Sequence, residues 1–301
     1  MRGAVRSSVL CAALVACGPR AAPPRDDAGA APSASASTVA SGARSSSTAL
    51  ADADTSAGDA GSPGACPADM ALVAGRYCLT PEQPCAEHQD VLGEGGKVSP
   101  NQCIRYRPPI VCYAERRKPL RYCMDRFEWP NEKGALPRTL VSWQSARGLC
   151  ASVGKRLCTE EEFNFACEGE EMRPYVYGFA RDATRCNFDK PYRPRTFKFT
   201  EWDSCAGNPA CRAAYDAIDQ RTPAGSMETC KSPEGIYDLN GNANEWVIIP
   251  DAKSPHRSGL KGGWWGPVRD RCRPTVTFHD EGDFGYEVGF RCCQDAAPAS
   301  D

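Results

Sequence analysis

Apolar and polar positions repeat with two different periods in the middle of the chain, and the change of period marks its most legible elements. Tyr122-Cys123-Met124-Asp125-Arg126-Phe127-Glu128-Trp129 alternates and predicts a strand, closed by Pro130-Asn131. Further on, Trp143, Ala146, Leu149, Cys150 and Val153 recur at helical spacing, with Ser142 placed as an N-cap and Gly154 as a stop. A second helix begins after Thr159, which forms a capping-box pattern with Glu162. Phe163, Ala166 and Cys167 then share one face, and the acidic run Glu160-Glu161-Glu162 suits the positive end of that helix. Met70-Ala71-Leu72-Val73, followed by Gly75, Arg76 and Tyr77, reads as a strand running into a turn. The span from Pro81 to Pro109 carries Gly93, Gly95, Gly96, Pro100 and Pro108, which predicts a disulfide-clipped insertion rather than regular structure. Beyond Cys167, Gly and Pro recur at short intervals, so short strands and loops are expected, with one short helix around Ala210–Tyr215.

The N-terminal pattern is of another kind. Arg2 and Arg6 precede an apolar run from Val9 to Ala16, far shorter than the roughly 20 residues that span a bilayer, so residues 1–16 read as a signal peptide. Leu14-Val15-Ala16-Cys17 resembles a bacterial lipobox, which makes Cys17 the lipidation site and the mature N-terminus. Plain secretion with cleavage elsewhere is the alternative. Gly18 rather than Asp follows Cys17, which favours the outer over the inner membrane. Residues 17–64 are almost wholly Ala, Ser, Pro, Gly and Asp without an aromatic side chain, and such a segment cannot bury enough apolar surface to offset its conformational entropy. A lipidated disordered tether is expected there, then one domain over 65–295, whose 65–121 part is cysteine-rich, and a disordered tail over 296–301.

Composition narrows the chemistry. Setting aside Cys11 and Cys17, sixteen of the 18 cysteines remain, an even number that reads as a disulfide framework in an exported chain. Zinc is the competing explanation, but no C-x-x-C occurs and only three histidines are present. The charges nearly balance, 36 Lys+Arg against 38 Asp+Glu, so no basic field points to nucleic acid. No G-x-S-x-G, P-loop or H-E-x-x-H motif occurs.

Several motifs then stand in a fixed order: Val141-Ser142-Trp143, Gly154-Lys155-Arg156-Leu157-Cys158-Thr159-Glu160-Glu161-Glu162-Phe163, Tyr175-Val176-Tyr177-Gly178, Cys186-Asn187-Phe188, Asp238 to Trp246, Lys261-Gly262-Gly263-Trp264-Trp265 and Gly289-Phe290-Arg291-Cys292-Cys293. Together they resemble the formylglycine-generating enzyme (sulfatase-modifying factor) family, from about Met70 to Cys292. The resemblance implies an α+β, C-type-lectin-like fold with little regular secondary structure, rich here in disulfides. It implies two calcium sites: one from Asn187, Phe188, Asp216 and Ile218, the other from Asp238, Leu239, Gly241, Ala243 and Glu245. Oxygen ligands around a Gly/Asn-rich turn suit calcium, although Asp238 and Asn240 could instead make Asx turns. It also implies the disulfides Cys150–Cys292 and, as an adaptation of the family pattern, Cys167–Cys272.

At the reaction centre the resemblance breaks. Family enzymes bind copper through two cysteines, and those positions here are Pro267 and Cys272. The family serine is Trp264, a nearby histidine is Val268, and the tryptophan before the acidic residue is Asn244. The leading expectation is therefore a non-catalytic binding or recognition module of a cell-envelope lipoprotein. Its cleft, lined by Trp264, Trp265, Arg269 and Arg271, would take a peptide, protein or glycan. The rival is an active formylglycine-generating or related oxidative enzyme with Cys272 as catalytic thiol and copper as cofactor; a structural envelope lipoprotein without a small ligand is a third reading. Related iron-dependent sulfoxide synthases need a histidine-rich ligand set that three scattered histidines do not supply.

Overall fold

The computed structural model describes residues 64–92, 98–267 and 269–298. The signal peptide, Cys17 and the tether up to residue 63 lie outside the described residues, as do Val268 and residues 299–301. The chain opens with β1 (Met70–Cys78), β2 (Pro81–Glu82), β3 (Cys85–Leu92), β4 (Val98–Tyr106), β5 (Val111–Cys112) and β6 (Arg117–Asp125). α1 (Trp143–Ser152), β7 (Arg156–Leu157), α2 (Glu160–Glu168), α3 (Trp202–Ala206) and α4 (Pro209–Ile218) follow. The last elements are β8 (Asn244–Ile248), β9 (Ser258–Lys261), β10 (Val288–Gly289) and β11 (Cys292–Asp295).

Local signals account for both expected helices. The Ser142 hydroxyl accepts from the Ser145 amide at 3.2 Å and starts α1. Thr159 and Glu162 exchange reciprocal bonds of 3.2 and 2.7 Å and start α2, whose Phe163, Ala166 and Cys167 are buried. α1 is fastened to β8 by crossed indole bonds: Trp143 Nε1 donates to Val247 O at 3.0 Å, and Trp246 Nε1 to Val141 O at 2.8 Å.

The main sheet runs β1-β6-β11-β7, with β1 and β11 both antiparallel to β6. A second sheet, β10-β8-β9, carries the site described below. Buried side chains of β1, β6 and α2 pack with Phe188, Leu239 and Val247 into the largest core cluster. The strand expected over 122–129 stops at Asp125 and instead begins at Arg117. Past Asp125 the backbone turns to other partners, with the Phe127 amide on Asn131 Oδ1 and the Trp129 amide on Phe290 O.

The irregular insertion expected between Pro81 and Pro109 is corrected. β3 and β4 form an antiparallel hairpin there, clipped by Cys85–Cys103 and interrupted by register shifts. The glycines that suggested a loop fall within 93–97, outside the described residues, and the register shifts break the simple alternation that marks a strand. Small residues hid the extent of the helical region: α4 spans Pro209–Ile218, capped by Asn208, and α3 precedes it.

All sixteen described cysteines are paired: 66–123, 78–112, 85–103, 150–292, 158–293, 167–272, 186–230 and 205–211. The ends of the domain meet, for the Ala297 amide donates to Ala65 O at 3.0 Å. Among the described residues no helix is long and apolar enough to cross a membrane.

Candidate functional site: a cleft beside the second sheet

β9 delivers Lys261 into a loop that starts with Gly262 and Gly263, both at positive φ (80° and 81°). The second is sterically required. A Cβ on Gly263 would fall 1.9 Å from Asp270 Oδ1, inside any real contact distance. The loop is then fixed at several points. Asp270 accepts from Arg181 at 2.7 Å, the Cys272 amide donates to Pro174 O at 2.9 Å, and Arg273 reaches Glu168, Tyr77 and Cys78 O. Burial raises the Asp270 carboxyl well above its ordinary range, opposed by the Arg181 guanidinium beside it.

Between this loop, β8, β9 and the segment before β10 lies a cavity of about 290 Å³. Leu260, Trp264, Pro274, Val276 and the exposed Phe278 give it apolar walls. Asn244 and Glu287 supply polar groups on one side, where the Asn244 amide donates to Glu287 O at 2.9 Å. Lys261 also lines it, but its ammonium is buried and turned to Arg273 O (2.8 Å) and Thr275 Oγ1 (3.1 Å). Burial pulls that ammonium down to about 7.

Of the four expected cleft residues, Trp264 and Arg269 line the cavity and two do not. Trp265 is 1% exposed and packs with Leu140, Tyr215 and Tyr286 in a core cluster, so a ligand cannot reach it. The Arg271 guanidinium is turned to the Tyr106 hydroxyl. Sequence reasoning missed Asn244 and Glu287 as a pair because they join only when β10 pairs in parallel with β8. The departure from the family tryptophan at Asn244 was the available signal.

Cys272 is fully buried and bonded to Cys167, and Pro267 has no ligand atom. These residues do not fit a two-thiolate copper centre, nor a free nucleophilic thiol at Cys272. Cys150 is bonded to Cys292.

The calcium sets differ. In the first, Asn187 Oδ1 is buried without a hydrogen-bond partner, while its amide donates to Gln220 O just past α4 at 2.9 Å. That orphaned oxygen fits a hard cation, with Phe188 and Ile218 near in sequence to these two anchors. Asp216 is exposed and faces Arg212 at 3.6 Å. The second set does not fit. Both oxygens of Glu245 accept from Arg291 at 2.6 Å, and Asp238 Oδ2 accepts the Gly225 amide at 2.8 Å. Arg291 occupies both oxygens of Glu245 there, and the amides of Gly241 and Asn242 are bonded to Gly262 O and Asn187 O, which holds the turn between Leu239 and Ala243.

The fold and site thus define an α+β, disulfide-stapled domain whose cleft lies beside Cys272, a cysteine already bonded to Cys167. A family model for the sulfatase-modifying factor enzyme 1-like domain matches residues 101–296, and the chain belongs to that family. It is similar to the inactive C-alpha-formylglycine-generating enzyme 2 of Bos taurus, 31% identical over 174 residues, covering 55% of this chain and 52% of the relative. The Mus musculus counterpart is 30% identical over 174 residues, covering 55% and 51%. The chain spans about half the length of the curated relatives it matches. Among solved structures, CarF aligns with a TM-score of 0.46 at 16% identity, over 76% of this chain and 98% of that one.

Proposed function

We propose that this chain is a non-catalytic recognition module of a cell-envelope lipoprotein, exported, anchored through Cys17 in the outer membrane, and binding a peptide, protein or glycan in the cleft beside Trp264. The observation that carries the reading is Cys272, whose sulfur is buried in a bond to Cys167 opposite a proline at the partner position. Among the described residues no thiolate is left to bind copper or attack a substrate. Eight disulfides support an oxidising compartment. The name of the mammalian relatives supports a catalytically silent use of the domain. Calcium, if bound, belongs at Asn187, where it would order the contact with the end of α4 rather than take part in chemistry.

The test pairs an activity assay with a binding assay. Full-length chain given copper(I), oxygen and a cysteine-bearing sulfatase peptide should consume no oxygen and form no formylglycine. Turnover would overturn the reading. A ligand of the cleft should raise the melting temperature, since a molecule that binds only the folded state stabilises it.

A further inference from the structure

A second cavity, of about 470 Å³, shares no lining residue with the cleft. It is built on the segment 190–200, which carries Lys190, Arg193, Arg195 and Lys198 and no carboxylate. Pro191 and Pro194 withhold backbone amides and keep this stretch out of helix and sheet. It is held in place all the same. The Lys190 amide donates to Trp265 O at 2.7 Å, and Gln220 Nε2 donates to Pro191 O at 2.9 Å. The Arg193 guanidinium reaches Ala217 O and Asp219 O at the end of α4, at 3.4 and 3.3 Å.

Phe197, Phe199 and Tyr286 floor this cavity. Their ring centroids are 5.6 Å apart from Phe197 to Phe199 and 6.2 Å from Phe199 to Tyr286, with tilts of 48° and 43°. Those tilts make a curved apolar floor rather than the flat face on which a nucleobase stacks. Arg195 stands 5.8 Å from the centre of the Tyr286 ring, and Lys198 lines the same cavity.

The cations of the segment are exposed and form no ion pair among the described residues. The carboxylates flanking it are engaged elsewhere, Asp189 by Arg181 at 2.6 and 2.9 Å and Glu201 by the Ser145 hydroxyl at 3.1 Å. Asp283, next to the lining residue Phe284, faces His279 at 3.7 Å. Glu287 feels the charge of Arg195 without forming an ion pair with it. The cavity thus offers positive charge at its edge and aromatic faces beneath.

A pyranose has the matching pair of surfaces, a C–H face drawn to the negative faces of aromatic rings and a polar edge. A carboxylate on that ring accepts paired bonds from a guanidinium and the charge of an ammonium. An acidic peptide side chain would answer the cations and leave the aromatic floor bare. We infer that this cavity binds a uronic acid unit of an acidic polysaccharide, its ring on Phe197, Phe199 and Tyr286 and its carboxylate held by Arg195 and Lys198. It is a second binding site, separate from the cleft beside Trp264.

Calorimetric titration of the full-length chain tests it with trigalacturonate, the methyl ester of that trisaccharide and a capped tri-aspartate peptide. Trigalacturonate should bind, and the ester, the same sugar without charge, should bind at least about tenfold more weakly. Arg195→Met and Lys198→Met remove a charge and keep an alkyl stem. Each should cost about tenfold in affinity and leave the melting temperature unchanged, since both side chains are exposed and outside any ion pair. No binding of trigalacturonate, equal binding of the ester, or wild-type affinity in either variant would overturn the proposal. Tri-aspartate binding as tightly as trigalacturonate would overturn the sugar in favour of an acidic peptide. None of these outcomes bears on catalytic silence, which turns on Cys272, so the two readings fail separately.

Discussion

Arg291 and Glu245 meet through two parallel hydrogen bonds of 2.6 Å, each side chain 1% exposed. Fork-to-fork pairing of this kind is the strongest geometry open to a buried ion pair. Breaking it from one side should therefore be costly. Arg291→Met leaves Glu245 buried without its cation, beside Glu128 and Asp238, and should lower unfolding free energy by about 3–5 kcal/mol. Arg291→Met with Glu245→Leu should recover only part of that loss, because Glu128 and Asp238 lose the same guanidinium. Denaturant titration of the two single variants and the double variant checks it; additive losses would contradict the pairing.

Asp238 and Glu128 lie close to the same guanidinium, so three carboxylates share one cation. Burial is the largest influence on each, and it holds Asp238 up at about 6 and raises Glu128 and Glu245 as well. The sign follows from proton binding. Between the ordinary value of 3.8 and about 6, the folded protein holds a proton on Asp238 that the unfolded chain has released. Stability should fall as pH rises through that window. Urea unfolding between pH 4 and 7 should show the decline, and Asp238→Asn, which can still accept the Gly225 amide, should flatten it.

Cys167 and Cys272 should resist alkylation in the unreduced, denatured chain, as should every cysteine from 66 to 293. Cys272→Ser frees Cys167 and opens a 105-residue loop, so the melt should drop by an amount matching roughly 2–5 kcal/mol. Peptide mass spectrometry after differential alkylation, with a thermal melt beside it, reads both. A modified Cys272 in the wild type would restore the oxidative chemistry to consideration.

Calcium should act at Asn187. Adding it to chelator-treated protein should raise the melting temperature, and Asn187→Ala should abolish the rise, while Glu245→Gln should leave the calcium increment intact, whatever it does to basal stability. A rise lost in E245Q but kept in N187A would place the cation at the second set instead.

Caps and apolar faces made the helices α1 and α2 readable, because each cap reaches only three residues, Ser142 to Ser145 and Thr159 to Glu162. The second sheet was not readable. β10 is two residues long and pairs with a strand more than forty positions earlier, so no local period announces it. Trp265 and Arg271 were misplaced for a related reason: exposure is decided by what α3, α4 and β4 bring against the loop, not by the loop itself.

Cys292 and Cys293 are neighbours, yet one is bonded to Cys150 in α1 and the other to Cys158, just past β7. With 167–272 and 186–230 they make the covalent graph of the domain a closed mesh rather than a line. A protease that cuts the irregular stretch between residues 190 and 200 would open the backbone without separating the pieces. The nicked protein would travel as one molecule on a denaturing gel until a reductant was added.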